Sequence, residues 1–390
     1  MQKPVNWEDR VRVASAASRS AFGGAGSKSL LQSEPAPPRA VSPPKQSWAE
    51  RPPAQSPAVQ RRVEASGGAG MRRLMYPEAA VPAQYALEDA AAACGARAAA
   101  TATRRRLSAE QVAAYHRDGF VIVPLFTAEE AAALLSLAES DAVVNERAHG
   151  RTDAEGFVSK LSLWNSCGVN AYGAVARSAR MVDNAETLLG GPSHTCASTG
   201  EPAECYHYHT KVMIKEAGVG GAWEWHQDYG YWYNNGCMAP QMLSAMVALN
   251  EHTEENGCLR VLRGSHALGR LTHALTGGQA GADPERVEQA RLRGHEEVAV
   301  RLQPGHVLFF HCNLLHASAR NRSAGPRWSM ITAYNARANN PFREHHHPCY
   351  APLDRWDDGA VLALKTLGVR DGDGTVFMQS RDDASAARQE

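Results

Sequence analysis

Short apolar runs separated by polar turns make up the central part of the chain, from Tyr206 to Tyr334. Glycine, proline and asparagine residues lie between the runs, which are the length of β-strands. The predicted strands are Val212 to Ile214, Ala245 to Leu249, Leu259 to Leu262, Val298 to Leu302, Val307 to Phe310 and Trp328 to Ala333. Many short strands with few helices between them indicate a jelly roll or a barrel.

A helix–strand–helix pattern precedes these strands. Ser108 has the form of a helix cap before an acidic first turn, and the helical pattern continues to Asp118. Residues 120–123 then predict a strand, and Thr127 caps a second helix. One further helical segment is predicted at 283–291. The fold class is therefore mainly β with flanking helices.

The first 105 residues differ from the rest in composition. They are rich in alanine, serine, proline, glycine and arginine, and apolar periodicity is poor. Such a segment buries too little apolar surface to offset the entropy of ordering it, so residues 1–105 are predicted to be disordered. A targeting extension, a plain flexible extension and a later start at Met71 all stay open, although Glu8 and Asp9 count against a transit peptide. The folded domain is predicted at 106–375, followed by a polar tail at 376–390, with fraying expected after about Arg370.

Composition excludes several classes of function. Basic and acidic residues balance at 41 each, so no electrostatic argument favours a nucleic-acid partner. The chain has no apolar run long enough for a membrane span. The 8 cysteines include no Cys-x-x-Cys pair, which favours reduced thiols in an intracellular protein. We expect a cytoplasmic protein, or an organellar one if the extension is a transit peptide, acting as a monomer or small homo-oligomer.

Three residues form the strongest candidate for a chemical site. His226 and Asp228 are two positions apart, so on a strand both side chains point to the same face. His316 must come from another strand, since it lies much later in the chain. Two imidazoles and one carboxylate suit non-haem Fe(II) with open coordination positions. Arg327 follows about one hairpin later, where its guanidinium is suited to bind a carboxylate in bidentate fashion. Taken alone, His316 also fits an ordinary buried histidine and Arg327 a surface arginine.

Four blocks around these residues resemble the phytanoyl-CoA dioxygenase family of Fe(II)/2-oxoglutarate oxygenases, in the same order along the chain. The resemblance covers Leu107 to the mid-370s. The blocks are Trp223 to Trp232, then Asn256 to Leu259 leading to Gly264-Ser265-His266, then Pro304-Gly305 leading to Phe309-Phe310-His311, and finally Leu315 to Ser318 with Asn321-Arg322-Ser323 and Arg327. Their order is more specific than any single block.

The resemblance implies a double-stranded β-helix, a jelly roll of the cupin type. It also implies Fe(II) as cofactor, with 2-oxoglutarate and O₂ as cosubstrates, and His226, Asp228 and His316 as catalytic metal ligands. Arg327 matches the family position that binds the far carboxylate of 2-oxoglutarate. Ser318, two residues after His316, is expected to bind the same carboxylate, and Lys215 is a further candidate for the cosubstrate side.

The substrate side is less sharply defined. Lys211 and His209 precede the metal motif on a predicted strand, while Tyr229 and Trp232 follow it toward the mouth of the site. These four are candidate substrate residues, and plain packing is the alternative for the two aromatic ones. Strand alternation predicts that Trp223 and Trp225 face away from His226, into the core.

Two other histidine groups compete for a metal. His311 lies five residues before His316, and His316 is preferred because its surroundings match the family. His345 to His347 resemble a metal cluster, yet three adjacent side chains do not all face one site on a regular element, so a solvated loop is predicted.

The leading hypothesis is a dioxygenase that hydroxylates a C–H bond of a small organic substrate and releases succinate and CO₂. Related halogenases have glycine or alanine at the carboxylate position, so Asp228 favours hydroxylation. A cupin-type metalloenzyme that does not use 2-oxoglutarate and a catalytically silent binding protein on the same fold are the alternatives.

Overall fold

The structure, a computed structural model, describes residues 106–190, 204–276 and 279–379. The extension predicted at 1–105 and most of the predicted polar tail lie outside the described residues. In the described ranges, no helix has the length and apolar character needed to cross a membrane.

The predicted helix–strand–helix opening is confirmed. Helix α1 (Ala109–Asp118) begins at Ser108 with a capping box and ends at Gly119, whose φ of 84° is the left-handed conformation that glycine adopts readily. Strand β1 (Phe120–Pro124) leads to helix α2 (Ala128–Ser140), which Thr127 caps in the same way.

Seven strands form the larger sheet. Its strands besides β1 are β2 (His149–Thr152), β3 (Val158–Trp164), β4 (Cys205–Lys215), β6 (Met242–Ala248), β11 (His306–His311) and β13 (Arg327–Ala336). Their order is β1-β11-β6-β13-β4-β3-β2, and every neighbouring pair is antiparallel. Most strands that are neighbours in this sheet are distant in sequence, as in a jelly roll.

A second sheet carries part of the candidate site. It contains β5 (Trp223–His226), β7 (Leu259–Leu262), β10 (Glu297–Val300) and β12 (His316–Ser318), in the order β10-β7-β12-β5. A hairpin of β8 (His273–Thr276) and β9 (Gln279–Ala282) packs beside β5. The two main sheets confirm the predicted jelly roll.

Apolar side chains fill both faces of the larger sheet. One cluster lies between the two main sheets and includes Leu161, Met246 and Phe310 from the larger sheet with Leu259 and Val261 from the smaller. A second cluster covers the opposite face, where the helices pack. Besides α1 and α2, these helices are α3 (Ala142–Glu146), α4 (Ala171–Arg177), α5 (Ala179–Gly190) and α8 (Ala360–Ala363).

Two regions differ from the expectation and a third agrees with it. Helix α6 (Asp228–Trp232) begins where a strand was expected, whereas helix α7 (Pro284–Leu292) confirms the predicted insert. Residues 371–379 do not show the predicted fraying, because Met378 donates a backbone hydrogen bond to Leu163 and Asp373 is buried. The ordered chain therefore continues at least to residue 379.

Candidate metal centre and adjoining cavities

Antiparallel pairing of β5 with β12 brings the two candidate histidines together. His226 and His316 are direct partners in this ladder, and their ring centroids lie 4.0 Å apart. Both side chains are buried. Long-range strand pairing therefore places two imidazoles, distant in sequence, on one side of the smaller sheet.

Asp228 reaches the same point by a route other than strand alternation. Strand β5 ends at His226, Gln227 is the N-cap of α6, and Asp228 is the first residue of that helix. The side-chain amide of Gln227 donates hydrogen bonds to the carbonyls of Gly269 and Asn313 and accepts one from the Leu271 amide. The expectation that one regular strand presents both ligands is thus wrong, because this anchored turn directs the carboxylate instead.

The three side chains form a compact, buried donor set. Oδ1 of Asp228 lies 3.9 Å from Nε2 of His226 and 3.9 Å from Nε2 of His316. All three ligand atoms lie within 4.8 Å of one another, and no other such group of histidine, cysteine or acidic residues occurs in the described part of the chain. Two nitrogens and one carboxylate oxygen fit a non-haem iron.

Hydrogen bonds fix the orientation of each donor. Nδ1 of His226 lies 2.7 Å from the carbonyl of Glu224, and Nδ1 of His316 lies 2.9 Å from that of Leu314. A proton on each Nδ1 leaves Nε2 with its lone pair directed at the site. Ser244, which no local sequence pattern marks, donates to Oδ2 of Asp228 at 2.7 Å.

Burial also keeps the imidazoles neutral. Desolvation lowers the pKa of His226 well below its usual value and lowers that of His316, although the negative charge of Asp228 opposes the second shift. A neutral imidazole is the form that binds a metal. The site therefore does not rely on protonated histidines to balance the carboxylate.

A cavity next to His316 contains the predicted carboxylate-binding arginine. Arg327 begins β13, is 2% exposed, and has no ion-pair partner in the ranges that the structure describes. One Nη donates to the carbonyl of Gly257, while Nε of Arg327 and Oγ of Ser329 lack a partner among the described residues. Burial lowers the pKa of Arg327 to about 10, which leaves the guanidinium charged at neutral pH. Such unpaired donors fit a carboxylate ligand.

The two other predicted cosubstrate residues differ in position. Ser318 is buried and lines this cavity beside Arg327 and His316. Lys215 is the direct ladder partner of Arg327, yet its ammonium donates to the carbonyls of Gly221 and Ala319 and it is absent from the residues lining the cavity. The structure therefore brings Ser318, and not the Lys215 ammonium, to the cavity.

A second cavity adjoins the other side of His226 and Asp228. Three predicted substrate residues, His209, Lys211 and Trp232, line it. Lys211, Trp223 and His226 line both cavities. The remaining lining residues are Leu161, Leu163, Tyr231, Asn235, His347 and Met378.

Tyr229 does not reach this cavity. Its hydroxyl donates to the carbonyl of Cys237, and Tyr231 lines the cavity instead. Tyr229 was predicted to follow Asp228 toward the mouth of the site, with plain packing as the alternative. Helix α6 directs Tyr229 into a buried apolar cluster with Tyr208 and Cys237, which supports the packing alternative.

Trp223 was expected to face away from His226 but lines both cavities. The ladder between β5 and β12 is irregular: His316 faces His226, whereas Ser318 faces Trp223, so β5 has one extra residue. A bulge of this kind changes the side to which the following side chain points. Trp225 is absent from both cavities, as expected, but it is half-buried: one side packs on the apolar cluster around Leu262 and Leu271, and the guanidinium groups of Arg260 and Arg291 lie over its ring.

The competing histidines lie away from the three-residue set. Nδ1 of His311 accepts a hydrogen bond from the amide of Asn313, and its ring packs near Tyr115 and His266. The solvated-loop prediction for His345 to His347 is wrong for His347, which is buried and lines the second cavity. Its ring stacks on that of Tyr208 at 4.3 Å, so packing on β4 holds it there.

Comparison with known proteins agrees with this geometry. The family model for phytanoyl-CoA dioxygenase (PhyH) matches residues 115–329, more than half of the chain. The chain belongs to the phytanoyl-CoA dioxygenase family. The expected fold, the enzyme class of 2-oxoglutarate-dependent dioxygenases and the requirement for Fe(II) with 2-oxoglutarate and O₂ are thereby confirmed.

Individual enzymes are also similar to this chain in sequence. The L-proline trans-4-hydroxylase of Streptomyces griseoviridis is 32% identical over 188 residues, which cover 44% of this chain and 64% of that enzyme, slightly less than two thirds of its length. The ectoine dioxygenase of Bordetella parapertussis is 28% identical over 264 residues, covering 61% of this chain and 82% of that enzyme.

A solved structure adds a comparison in three dimensions. The crystal structure of EctD from S. alaskensis with 2-oxoglutarate and 5-hydroxyectoine has a TM-score of 0.51 and 28% sequence identity. The match covers 66% of this chain and 90% of that chain. EctD from S. alaskensis with bound Fe gives a TM-score of 0.50.

Proposed function

We propose that this chain hydroxylates an unactivated C–H bond in a small substrate that carries a carboxylate. Substrate, 2-oxoglutarate and O₂ would be converted to the hydroxylated product, succinate and CO₂. The observation that carries the proposal is the buried set of His226, Asp228 and His316 beside a cavity with a buried arginine that lacks an ion-pair partner in the described chain. This combination supports a metal and an anionic cosubstrate as neighbours.

The residues of the donor set hold and orient the metal. Each imidazole offers Nε2 because a backbone carbonyl holds its Nδ1, and Asp228 offers Oδ1 because Ser244 holds its Oδ2. When bound there, Fe(II) supplies the activation of O₂ and the oxidative decarboxylation of 2-oxoglutarate. The carboxylate of Asp228 occupies the position that is glycine or alanine in halogenases, which supports hydroxylation.

Arg327, Ser318 and Ser329 are proposed to bind the far carboxylate of 2-oxoglutarate. The guanidinium and the two hydroxyls line one cavity, and the orphaned Nε of Arg327 and Oγ of Ser329 need an acceptor that water or a ligand must supply. A carboxylate accepts both groups at once. The apolar residues of the same cavity, such as Leu259 and Ile331, then shield this ion pair from water.

Lys211 is proposed to bind the substrate carboxylate. It is the only lysine or arginine among the residues that line the second cavity, and Asp228, a proposed metal ligand, is the only acidic one. Trp232, Tyr231 and His209 supply flat surfaces around it. The relatives named for L-proline and ectoine support a small substrate.

Anaerobic addition of Fe(II) and then 2-oxoglutarate tests the proposal. We expect a visible charge-transfer band in the wild type, its loss in His226→Ala, and its retention in the matched variant His311→Ala. Succinate release with a panel of small carboxylates would then identify the substrate. Tight Fe(II) binding without the band would indicate a cupin-type enzyme that does not use 2-oxoglutarate. Failure to bind Fe(II) would indicate a binding protein on the same fold.

The cellular setting is also part of the proposal. All six cysteines in the described ranges are free thiols, which supports a reducing compartment. We propose an intracellular enzyme that acts as a monomer or small homo-oligomer. Size-exclusion chromatography with light scattering tests the oligomeric state.

A further inference from the structure

Lys215 is a fully buried lysine with an unusual set of partners. It is 0% exposed, at the end of β4, and no carboxylate in the described chain forms an ion pair with it. Its ammonium donates hydrogen bonds to two backbone carbonyls, those of Gly221 and Ala319, the latter at 2.6 Å. Burial lowers the pKa of Lys215 well below its usual value, although the negative charge of Asp153 opposes this shift. We therefore expect the side chain of Lys215 to have a structural or functional role that offsets the cost of burying it.

The two carbonyls belong to the segments that flank the metal-binding strands. Gly221 precedes β5, which carries His226, and Ala319 directly follows β12, which carries His316. These contacts lie at the end of the ladder where the register shifts between His316 and Ser318. Lys215 thus joins the two strands beyond the point where their regular pairing is interrupted.

Glycines allow the close approach that this contact needs. A Cβ atom on Gly220 would lie 2.7 Å from Cβ of Lys215, and one on Gly221 would lie 2.4 Å from the carbonyl oxygen of Phe157. Distances below 3.0 Å require atoms to move. Gly220 therefore permits the close approach of this segment to Lys215, while Gly221 permits its approach to the Phe157 backbone.

Neighbouring hydrogen bonds hold the same segments. Asn321 donates from its side chain to the Lys215 carbonyl and from its backbone to the Gly220 carbonyl. Ser159 donates to the Gly221 carbonyl at 2.7 Å. Both sheets are therefore connected through the Lys215 side chain and backbone.

We infer that Lys215 is a positioning residue that ties β5 to β12 across the bulge and so sets the spacing of His226 and His316. This inference rests on the proposed metal site. The ammonium acts through the backbone carbonyls of both strands and touches neither the metal ligands nor the cosubstrate cavity. Burial and the neighbouring Arg327 both lower the pKa of Lys215, so the role rests on the hydrogen bonds of its Nζ and not on its charge.

The test is Co(II) binding to the full chain. Binding is measured by titration, with visible absorption as the readout. Lys215→Met removes the ammonium and keeps the length of the side chain. We expect its Kd for Co(II) to rise about 10- to 100-fold, the usual range when a residue supporting metal ligands is changed, with an altered spectrum. Gly220→Ala keeps the charge but displaces the segment, so we expect a change in the same direction.

Two controls separate positioning from general loss of stability. Lys160→Met removes an exposed lysine that pairs with Glu216, and it should bind Co(II) as the wild type does. Leu134→Ala removes a buried side chain beneath the larger sheet and should lower the Tm without changing the Kd or spectrum. All titrations are made well below each variant's Tm.

The outcomes distinguish the inference from the proposed function. A wild-type chain that binds no Co(II), or binds it equally well in His226→Ala, overturns the metal site itself. A normal wild type together with an unchanged Kd and spectrum in Lys215→Met overturns the positioning role. The positioning role would also be overturned if Leu134→Ala weakened Co(II) binding as much as Lys215→Met does. If Lys215→Met does not fold, Gly220→Ala decides the matter alone.

Discussion

The hydroxyl of Ser244 donates a 2.7 Å hydrogen bond to Oδ2 of Asp228, and both residues are buried. Ser244 lies on β6, in the larger sheet, while Asp228 begins α6 after the smaller sheet. This contact links the two sheets at the proposed metal centre. It also decides which carboxylate oxygen faces the imidazoles.

Replacing Ser244 by alanine should weaken metal binding without removing a ligand. Loss of a buried hydrogen bond to a charged group costs about 1.5–3 kcal/mol, and changes of this kind lower metal affinity about 10- to 100-fold. Titration with Fe(II) under anaerobic conditions measures the effect. Ser140→Ala, at an exposed position at the end of α2, serves as control. Unchanged affinity in Ser244→Ala would show that Asp228 is oriented by other contacts.

Replacing Arg327 should raise the Kd for 2-oxoglutarate and leave Fe(II) affinity unchanged. Arg327→Met removes a charged contact worth about 1.5–3 kcal/mol, which corresponds to about a 10- to 150-fold rise. Arg327→Lys should recover only part of the loss, because a lysine lacks the bidentate geometry. The charge-transfer band measures both variants, and Arg301→Met, at an exposed ion pair with Glu254, is the control. A normal Kd in Arg327→Met would refute the assigned role.

Replacing Lys211 should impair activity toward a charged substrate more than activity toward a neutral one. Lys211→Met is expected to raise the KM of a carboxylate substrate about tenfold or more, since a charged hydrogen bond is lost. Activity toward the neutral amide of the same substrate should change little, because the amide does not pair with the ammonium. Lys160→Met is again the matched control. An equal effect on acid and amide would indicate that Lys211 shapes the cavity and does not recognise charge.

Acid should destabilise the fold through buried neutral histidines. Burial lowers the pKa of His207 and of His252 to about 3, whereas both titrate near 6.5 when unfolded. Between pH 6.5 and 3 the unfolded chain binds protons that the folded chain does not, so the free energy of unfolding falls as the pH falls and is insensitive to these groups above 6.5.

His252→Gln tests this pH dependence. Glutamine keeps a donor for the Trp328 carbonyl, which His252 now bonds at 3.1 Å, but it does not titrate. Urea unfolding from pH 7 to pH 4.5 should give a slope smaller by up to about 1.4 kcal/mol per pH unit in the variant. Identical slopes would mean that His252 is protonated in the folded state.

Local patterns predicted the elements well and the site only in part. The caps at Ser108 and Thr127 and the strand at Leu259–Leu262 follow from short-range chemistry, and each is where the sequence placed it. Strands β2 and β3 and helices α4 and α5 were not predicted, since their burial depends on contacts with distant segments.

The errors at the site have specific physical causes. Asp228 was expected on a strand, but the buried Gln227 amide stabilises a turn whose partners lie more than forty residues away. Trp223 was placed on the wrong side because a bulge is a property of a strand pair and not of one strand. Ser244 and Ser329 give no local signal, because each acquires its role only through the sheet that carries it.

The ladder contact between His226 and His316 joins residues about 90 positions apart, and contacts of such sequence separation form slowly. The donor set therefore exists only when the jelly roll has brought β5 and β12 together. A metal that binds only this folded arrangement shifts the folding equilibrium by mass action. Iron supply would thus raise the fraction of folded chain as well as enable the reaction.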